Sequence, residues 1–583
     1  MICALNRVTL CTPTNECRRG GSAALYEELK AIQRQFGYLP AEQLKVLSKK
    51  IKTPLSQIHA VASFYPHFHL SAPPKADVRV CSDMSCHLCG ADELKAALET
   101  QFRGASPQDV TIREVSCLGR CDQAPAVMVN DNIYAAVDSR AAIKMARDVL
   151  AGRPLPEREA KHERLPALCD PYNGTGQYAA VRRFVEKRDW QEIIATLKTS
   201  KLRGMGGAGF PTGLKWEIVH NAPGNTKYIV CNADESEPGT IKDRHIMENV
   251  PYLVLEGMIV AGLVTGAHRG ILYIRHEYEK AKEVLQEELD RAYSNGVLGP
   301  RVMGSDLSFD LEIFVSPGGY ICGEESALLE AIEGHRAEPR NKPPFPGQMG
   351  GGLWGKPTVI NNVETFSLAT VILTRGVEWY TAQGKNGSVG MKFVGISGDV
   401  VRPGIFEVPM GISYTELIYD YAGGIPNGKK MLAYAPSGPS SGYLPASLAN
   451  LPLDWDAVAA AGSMVGSGAI VVCAEGRCML DMALNATRFY RNESCGKCVP
   501  CRMGSQKMVE MLKGWTEGKS SKGDMQTLDE LSTAMRLASI CGLGQVVPVP
   551  IASILKHFPE VVDDHLVRRH CPGGICFSQM GMQ

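Results

Sequence analysis

The residues of this 583-residue chain best suited to chemistry are its cysteines. Most of the 19 are crowded into four short clusters, which argues against a disulfide framework in so large a chain. Thiolates two to four residues apart in a reducing compartment hold metal. "SCGKCVPCR" supplies Cys495, Cys498 and Cys501, and Cys541 follows in "SICGLG". Three thiolates at C-x2-C-x2-C spacing converge on one cubane and a distant fourth closes it, the pattern of a [4Fe–4S] cluster. A structural zinc would take its cysteines as pairs. "CSDMSC" and "CLGRC" supply Cys81, Cys86, Cys117 and Cys121 at strand-to-loop edges, a donor set for a [2Fe–2S] cluster. A redox dithiol would need two of these four. Cys89 is read as a bystander.

"CPGGIC" supplies Cys571 and Cys576, with His565 six residues before the first. With Cys478 as fourth ligand, and Cys473 in reserve, they suit a tetrahedral zinc; a free thiol pair or a disordered tail is the alternative. Cys231 and Cys322 lie in apolar strand-end contexts and read as packing. Cys3, Cys11 and Cys17 take no role.

A second chemistry lies in "GMGGAGFPTGLKW", residues 204–216, with five glycines and one lysine. Gly204, Gly206 and Gly209 satisfy G-x-G-x-x-G, yet "WQEIIATLKTSKL" before them has helical rather than strand periodicity. The loop therefore reads as a cradle for a phosphorylated ligand outside the usual dinucleotide fold. Glycine N–H groups, a following helix N-terminus and Lys215 would offset phosphate charge. "CNADESEPG" places Asn232, Asp234, Glu235 and Glu237 at a strand end. Glu324 and Glu325 open a helix, where the dipole favours carboxylates. Lys342, Phe345, Asn361 and Asn362 follow in "NKPPFPG" and "VINNVET". Capping, surface charge and satisfied turns are the plain alternatives.

The elements that must position these residues divide the chain into several domains. From Ala23 to about Leu70 the apolar spacing predicts three short helices. A β-α-β-β pattern follows, so that residues 20–150 form one helical and small α/β region. Residues 151–175 are rich in proline and charge and read as a linker. Residues 176–385 alternate strands and helices. Residues 391–475 are rich in glycine and proline with short strands, and 478–583 are helical with the cysteine-bearing tail.

Basic and acidic residues number 62 each, so no electrostatic footprint for nucleic acid or an anionic membrane exists. "YLVLEGMIVAGLVTGAH" carries Glu256 and three glycines and reads as a buried helix, not a membrane span. The N-terminus lacks the basic region of a secretory signal, so a cytoplasmic location is expected.

"GGAGFPTGLKW", "CNADESEPGT", "YICGEESALLE", "KPPFPG", "VINNVET" and "ESCGKCVPCR…CGLG", in this order, resemble the NADH-binding flavoprotein subunit of the complex I type. That module also serves as diaphorase in NAD-linked hydrogenases and formate dehydrogenases and in electron-bifurcating enzymes. Residues 20–150 resemble the small thioredoxin-like [2Fe–2S] protein of that module, here fused in front. The resemblance implies a multidomain α/β protein: N-terminal helices with a thioredoxin-like domain, a Rossmann-like FMN and NADH domain, a β-grasp-like (ubiquitin-like, SLBB-type) domain, and a helical [4Fe–4S] bundle. It implies FMN at Gly204, Gly206, Lys215, Asn232, Asp234, Glu235, Tyr320, Gly323, Glu324, Asn361 and Asn362. It implies NADH at Phe210, Glu237, Glu325, Lys342 and Phe345, with no catalytic side chain because the chemistry is the flavin's. Met205 stands where relatives commonly carry arginine, removing a charge near the flavin, and Ile218 where some carry an aromatic.

The set Cys478, His565, Cys571 and Cys576 resembles a zinc site of electron-bifurcating flavoproteins, which usually continue into a ferredoxin domain. Here seven residues follow Cys576, so that electron route is not expected in this polypeptide. The implied function is NAD(H)-linked electron input to, or output from, partner subunits of a soluble multisubunit oxidoreductase. A bifurcating role and a non-catalytic iron–sulfur scaffold are the alternatives.

Overall fold

The computed structural model describes residues 23–157, 165–521 and 523–577. Cys3, Cys11 and Cys17 lie outside them. Three helices, Ala23–Phe36, Ala41–Ile51 and Leu55–Phe64, open the described chain as the spacing predicts, the second and third starting directly after Pro40 and Pro54. They are not an independent unit. Tyr26 stacks on Phe314 of the central domain at 5.8 Å between ring centroids, and Leu29, Leu44 and Ile58 join a core shared with the C-terminal helices.

The small α/β domain contains β1 (Ala76–Cys81), β2 (Val110–Val115), β3 (Val127–Val129) and β4 (Asn132–Tyr134) in the order β2-β1-β3-β4. Strand β1 pairs parallel with β2 and antiparallel with β3. Helix Ala91–Gln101 lies between β1 and β2 and helix Ser139–Leu150 follows β4, the second capped by the Asp138 carboxylate, which accepts the Ala141 N–H at 2.7 Å.

The central domain is built on β5 (Tyr228–Ala233), β6 (Arg269–Ile274), β7 (Asp310–Val315) and β8 (Thr358–Asn362). All pair parallel, in the order β7-β6-β5-β8. The apolar runs "YIVC" and "ILYI" are what a parallel sheet covered on both faces demands. The chain winds outward from β5 to β6 and β7, then returns to place β8 on the other side of β5. That reversal opens a crevice at the carboxyl ends of β5 and β8, where open α/β sheets bind ligands.

Helix Pro251–Thr265 is buried as expected, and its glycines explain its close packing. A Cβ on Gly257 would lie 2.2 Å from the Phe366 carbonyl oxygen of helix Val363–Arg375. Among the described residues no single helix is long and apolar enough to cross a membrane.

The next domain carries β9 (Met391–Gly398), β10 (Gly404–Pro409), β11 (Met431–Pro439), β12 (Leu444–Pro445) and β13 (Ala469–Ala474), ordered β10-β9-β13-β11-β12. Helices Met479–Glu493, Val499–Thr516, Asp524–Ala538 and Val549–His557 make most of the last one.

The segment read as a linker differs from its composition. Its second described part, residues 165–175, is tied to folded domains by hydrogen bonds. Leu168 and Cys169 N–H groups donate to Glu407 at 2.8 Å each, and the Tyr252 hydroxyl donates to Asp170 at 2.7 Å. Fully buried Glu256 accepts the Tyr172 hydroxyl at 2.8 Å and the N–H groups of Tyr178 and Ala180 at 3.1 and 2.7 Å. Glu256→Ala strands those donors, each worth about 1–3 kcal/mol when buried and unpaired. It is expected to lower the thermal midpoint and open residues 165–180 to limited proteolysis.

Candidate functional site

The glycine loop sits at the mouth of the crevice. It is closed by the Gly204 N–H donating to the Phe210 carbonyl at 2.8 Å, and helix Thr212–Asn221 starts directly after it. Three of its glycines answer to the protein itself. A Cβ on Gly206 would meet Asn362 at 3.0 Å, one on Gly209 would meet Trp455 at 3.2 Å, and one on Gly213 would meet the Lys198 backbone nitrogen at 2.8 Å. Gly207 is different: its φ is +130° and no protein atom lies within 4 Å of its Cβ position. Here backbone faces open space, the cradle a phosphorylated ligand requires.

Lys215, on the first turn of that helix, is half-buried and donates to the Ile360 carbonyl of β8 at 2.9 Å. Burial holds its pKa below the ordinary lysine value. The Trp216 indole N–H donates to Asn361 at 3.0 Å, fixing the amide at the end of β8. Asn362 caps helix Val363–Arg375 by accepting the Glu364 N–H at 3.0 Å. From the end of β5, Asn232 donates to the Gly323 carbonyl at 2.7 Å. Asp234 accepts the hydroxyls of Ser236 and Ser316 at 2.5 and 2.6 Å, yet burial raises it to about 6.

Glu235, expected beside the flavin, has both oxygens engaged elsewhere. They accept the Asp243 and Arg244 N–H groups at 2.8 and 3.1 Å and the Tyr278 hydroxyl at 2.9 Å. Glu237 accepts the Tyr320 hydroxyl at 2.9 Å and the Ser440 N–H at 3.1 Å. Glu324 caps helix Glu325–Ile332, accepting the Ser326 and Ala327 N–H groups at 2.9 Å each. Lys342 bridges Glu324 and Glu325 at 2.9 and 2.6 Å. Phe210, Leu214, Ile218 and Phe345 stand 38–52% exposed around this rim, an apolar face suited to a stacked ring.

The sequence reading missed the charges behind the loop. Buried Lys242 and Lys392 pair with buried Glu364 at 3.0 and 3.2 Å. The Lys392 ammonium lies 3.4 Å from the Met205 carbonyl, so a cation from β9 approaches the position whose own side chain carries none. Burial lowers Lys392 to about 8. Buried Asp243 and Lys242 could have been suspected from "IKDRH", but nothing local in sequence announces Lys392.

The cysteines gather as their spacing suggests. Cys81, Cys86, Cys117 and Cys121 are all buried; Cys81 contacts Cys86 and Cys117, and the Cys117 and Cys121 sulfurs are 3.4 Å apart. Gly119 and Gly239 N–H groups already point at Cys117 and Cys121 sulfurs at 3.4 and 3.2 Å, which fits cluster ligation by thiolates. Cys89 is exposed and takes part in none of these three contacts. Cys501 is buried while Cys495, Cys498 and Cys541 are half-buried. Gly544 brings the Cys541 turn against Cys501, because its Cβ would lie 3.0 Å from that of Cys501. Leu543 and Gly544 N–H groups donate to the Cys541 thiol, again a preset donor arrangement. In the tail, ligand atoms of Cys478, His565, Cys571 and Cys576 all lie within 4.8 Å of one another. Cys473 is outside that group, within β13. Cys231 and Cys322 are buried, as packing predicts.

Residues 197–370 match the Nuo51 FMN-binding domain, residues 14–149 the thioredoxin-like [2Fe-2S] ferredoxin, and residues 481–565 the NADH-ubiquinone oxidoreductase-F iron-sulfur binding region. An NADH-quinone oxidoreductase subunit of Rhizobium meliloti is 42% identical over 405 residues, 70% of this chain and 96% of that protein. The chain belongs to the NADH-binding flavoprotein subunits of the complex I type. It is an FMN and iron–sulfur oxidoreductase that exchanges electrons between NADH and partner subunits. NAD-reducing hydrogenase HoxS subunit alpha of Cupriavidus necator is 32% identical over 579 residues, covering 95% of this chain and 94% of that protein. A crystal structure of NAD+-reducing [NiFe]-hydrogenase in the H2-reduced state contains a chain that superposes with TM-score 0.82 at 30% identity, covering 94% and 93% of the two chains.

Lys215→Met removes the half-buried ammonium at the loop. It is expected to weaken FMN retention at least tenfold with little change in thermal midpoint, as a lost charge-assisted hydrogen bond of about 1.5–3 kcal/mol implies. Flavin absorbance of the purified variant, before and after added FMN, checks this.

Proposed function

We propose that this chain is the NAD(H)-linked electron-input or electron-output component of a soluble, cytoplasmic multisubunit oxidoreductase of the kind that includes the NAD-reducing hydrogenases and formate dehydrogenases. The observation that carries this reading is coverage. The hydrogenase relative aligns over 95% of the chain, thioredoxin-like domain included, whereas the quinone oxidoreductase relative aligns over 70%. The terminal substrate resides with a partner, so hydrogen, formate or another low-potential couple is a property of that partner.

Bound FMN would accept a hydride from NADH and release electrons one at a time to iron–sulfur clusters. The chain's own residues position and insulate. Gly206 and Gly207 would present backbone N–H groups, and Lys215 a positive charge, to the flavin phosphate, while Gly204 closes the loop that holds them. Asn232, Asp234, Asn361 and Asn362 from the ends of β5 and β8, together with Tyr320, Gly323 and Glu324, would hold the flavin ring, Asn232 and Gly323 being already joined at 2.7 Å. Phe210, Glu237, Glu325, Lys342 and Phe345 make the outer rim for NADH, two aromatics for stacking and a paired lysine for orientation. Glu235 is left with a structural task at the start of helix Lys242–Asn249. Cys495, Cys498, Cys501 and Cys541 hold the [4Fe–4S] cluster, and Cys81, Cys86, Cys117 and Cys121 the [2Fe–2S] cluster.

Cys478, His565, Cys571 and Cys576 form a structural zinc site. His565 favours this because its Nδ1 is already bonded to the Val561 carbonyl at 2.7 Å, which leaves Nε2, 3.5 Å from the Cys478 sulfur, to face a metal. Three thiolates and one imidazole leave no open position for catalysis. Cys571→Ser is expected to abolish bound zinc, measured by elemental analysis, while iron content and NADH-dependent dye reduction persist.

Anaerobic NADH titration followed by absorbance and electron paramagnetic resonance tests the whole reading. Flavin bleaching together with one [4Fe–4S] and one [2Fe–2S] signal is the expected outcome. Clusters without a bleachable flavin would leave a wiring scaffold as the better description.

A further inference from the structure

The four cysteines of the thioredoxin-like domain do not complete their own surroundings. Cys117 and Cys121 pack on Ile241 of the central domain. The Gly239 N–H that reaches the Cys121 sulfur comes from the same domain, at φ +92° and with its Cβ position 2.8 Å from Val471. A side chain there would be strained in its backbone and would crowd the Val471 and Ala469 side chains of β13, so the position favours glycine.

Arg275, directly after β6, is 3% exposed. Its guanidinium donates to the Cys117 carbonyl at 2.7 Å, to the Glu235 carbonyl at 2.5 Å and to the Glu277 carboxylate at 3.0 Å. Three donor directions thus lock one cation beside a metal-ligand loop of a different domain. Glu277 is its one ion-pair partner among the described residues, and the arginine holds that carboxylate ionised, well below its usual range. Other charged groups stand nearby: Arg244 pairs with Asp122 at 2.7 Å, Asp83 accepts the Cys117 N–H at 2.8 Å, Arg120 of the Cys117–Cys121 loop donates to the Gly119 carbonyl at 3.2 Å, and Glu493 accepts the Ser116 hydroxyl.

We propose that Arg275 is a positioning residue that sets the reduction potential of the neighbouring [2Fe–2S] cluster from across the domain boundary. This rests on the assignment of Cys81, Cys86, Cys117 and Cys121 as its ligands. Reduction adds one electron, supplied by NADH through the flavin, and makes the cluster one charge more negative; no bond forms or breaks. A fixed cation in a low-dielectric junction favours that added charge, and so do N–H donors on the ligand sulfurs. Glu277 opposes it. Because the cation and one N–H donor both come from the central domain, the potential belongs to the docked arrangement rather than to the thioredoxin-like domain alone.

The test is a dye-mediated redox titration of the full chain, read by electron paramagnetic resonance, for wild type, Arg275→Gln, Arg275→Lys and Glu277→Gln. Arg275→Gln is expected to lower the reduction equilibrium constant of the [2Fe–2S] centre about tenfold, ~59 mV for a one-electron couple. Arg275→Lys restores most of it, and Glu277→Gln moves it in the opposite direction. The [4Fe–4S] midpoint, read in the same samples, stays in place, which a general loosening of the fold would not allow. An intact [2Fe–2S] signal with an unmoved midpoint in Arg275→Gln overturns the proposal. If Arg275→Gln loses the cluster, an unmoved midpoint in Glu277→Gln overturns it instead. Absence of a [2Fe–2S] signal from the wild type overturns the ligand assignment itself.

Discussion

Three carboxylates within four residues, buried Asp234 and Glu235 and half-buried Glu237, lie in the loop that leaves β5, and the assembly of the molecule answers to that burden. Each is raised above its ordinary pKa by desolvation, so each needs donors that water would otherwise supply. The donors come from separate places. Asp234 takes hydroxyls from Ser236 and from Ser316 beyond β7; Glu235 takes backbone N–H groups and the Tyr278 hydroxyl; Glu237 takes an N–H from Ser440 in the domain of β9 to β13. Two residues further on, Gly239 gives its own N–H to a cysteine of the thioredoxin-like domain. Undocking any of these domains would expose or strand a polar group of one short loop.

The same economy of contact serves electron transfer. Glu493, just before the Cys495 loop, accepts a hydroxyl from Ser116, the neighbour of Cys117, and the N–H of Tyr320 at the crevice. One half-buried carboxylate thereby joins the segments proposed to carry both clusters and the flavin. Parting these segments would cost the carboxylate both of those donors.

The glycine loop illustrates how chemistry and packing share residues. Gly206, Gly209 and Gly213 are required by Asn362, Trp455 and the backbone of the preceding helix, whereas Gly207 faces open space. A sequence shows the cost of five glycines but cannot divide it between a ligand and neighbouring side chains. Likewise Met205 signals a missing charge, but only the folded chain brings Lys392, 187 residues away, to its carbonyl.

Elements and candidate donor sets were legible in the sequence. Hydrophobic periodicity located the three opening helices and β5, β6 and β7, though not β8, and cysteine spacing grouped three candidate ligand sets, because both are local properties of a few neighbouring residues. Cys478 could be named as the companion of His565, Cys571 and Cys576 by arithmetic and resemblance, but their approach to within 4.8 Å is a tertiary fact. Tertiary structure alone decided that residues 165–175 are docked, that Glu235 serves helix Lys242–Asn249, and that Arg275 stands beside Cys117. Each of these depends on hydrogen bonds between groups distant in the chain. Their strength comes from burial, and burial is a property of the assembled fold.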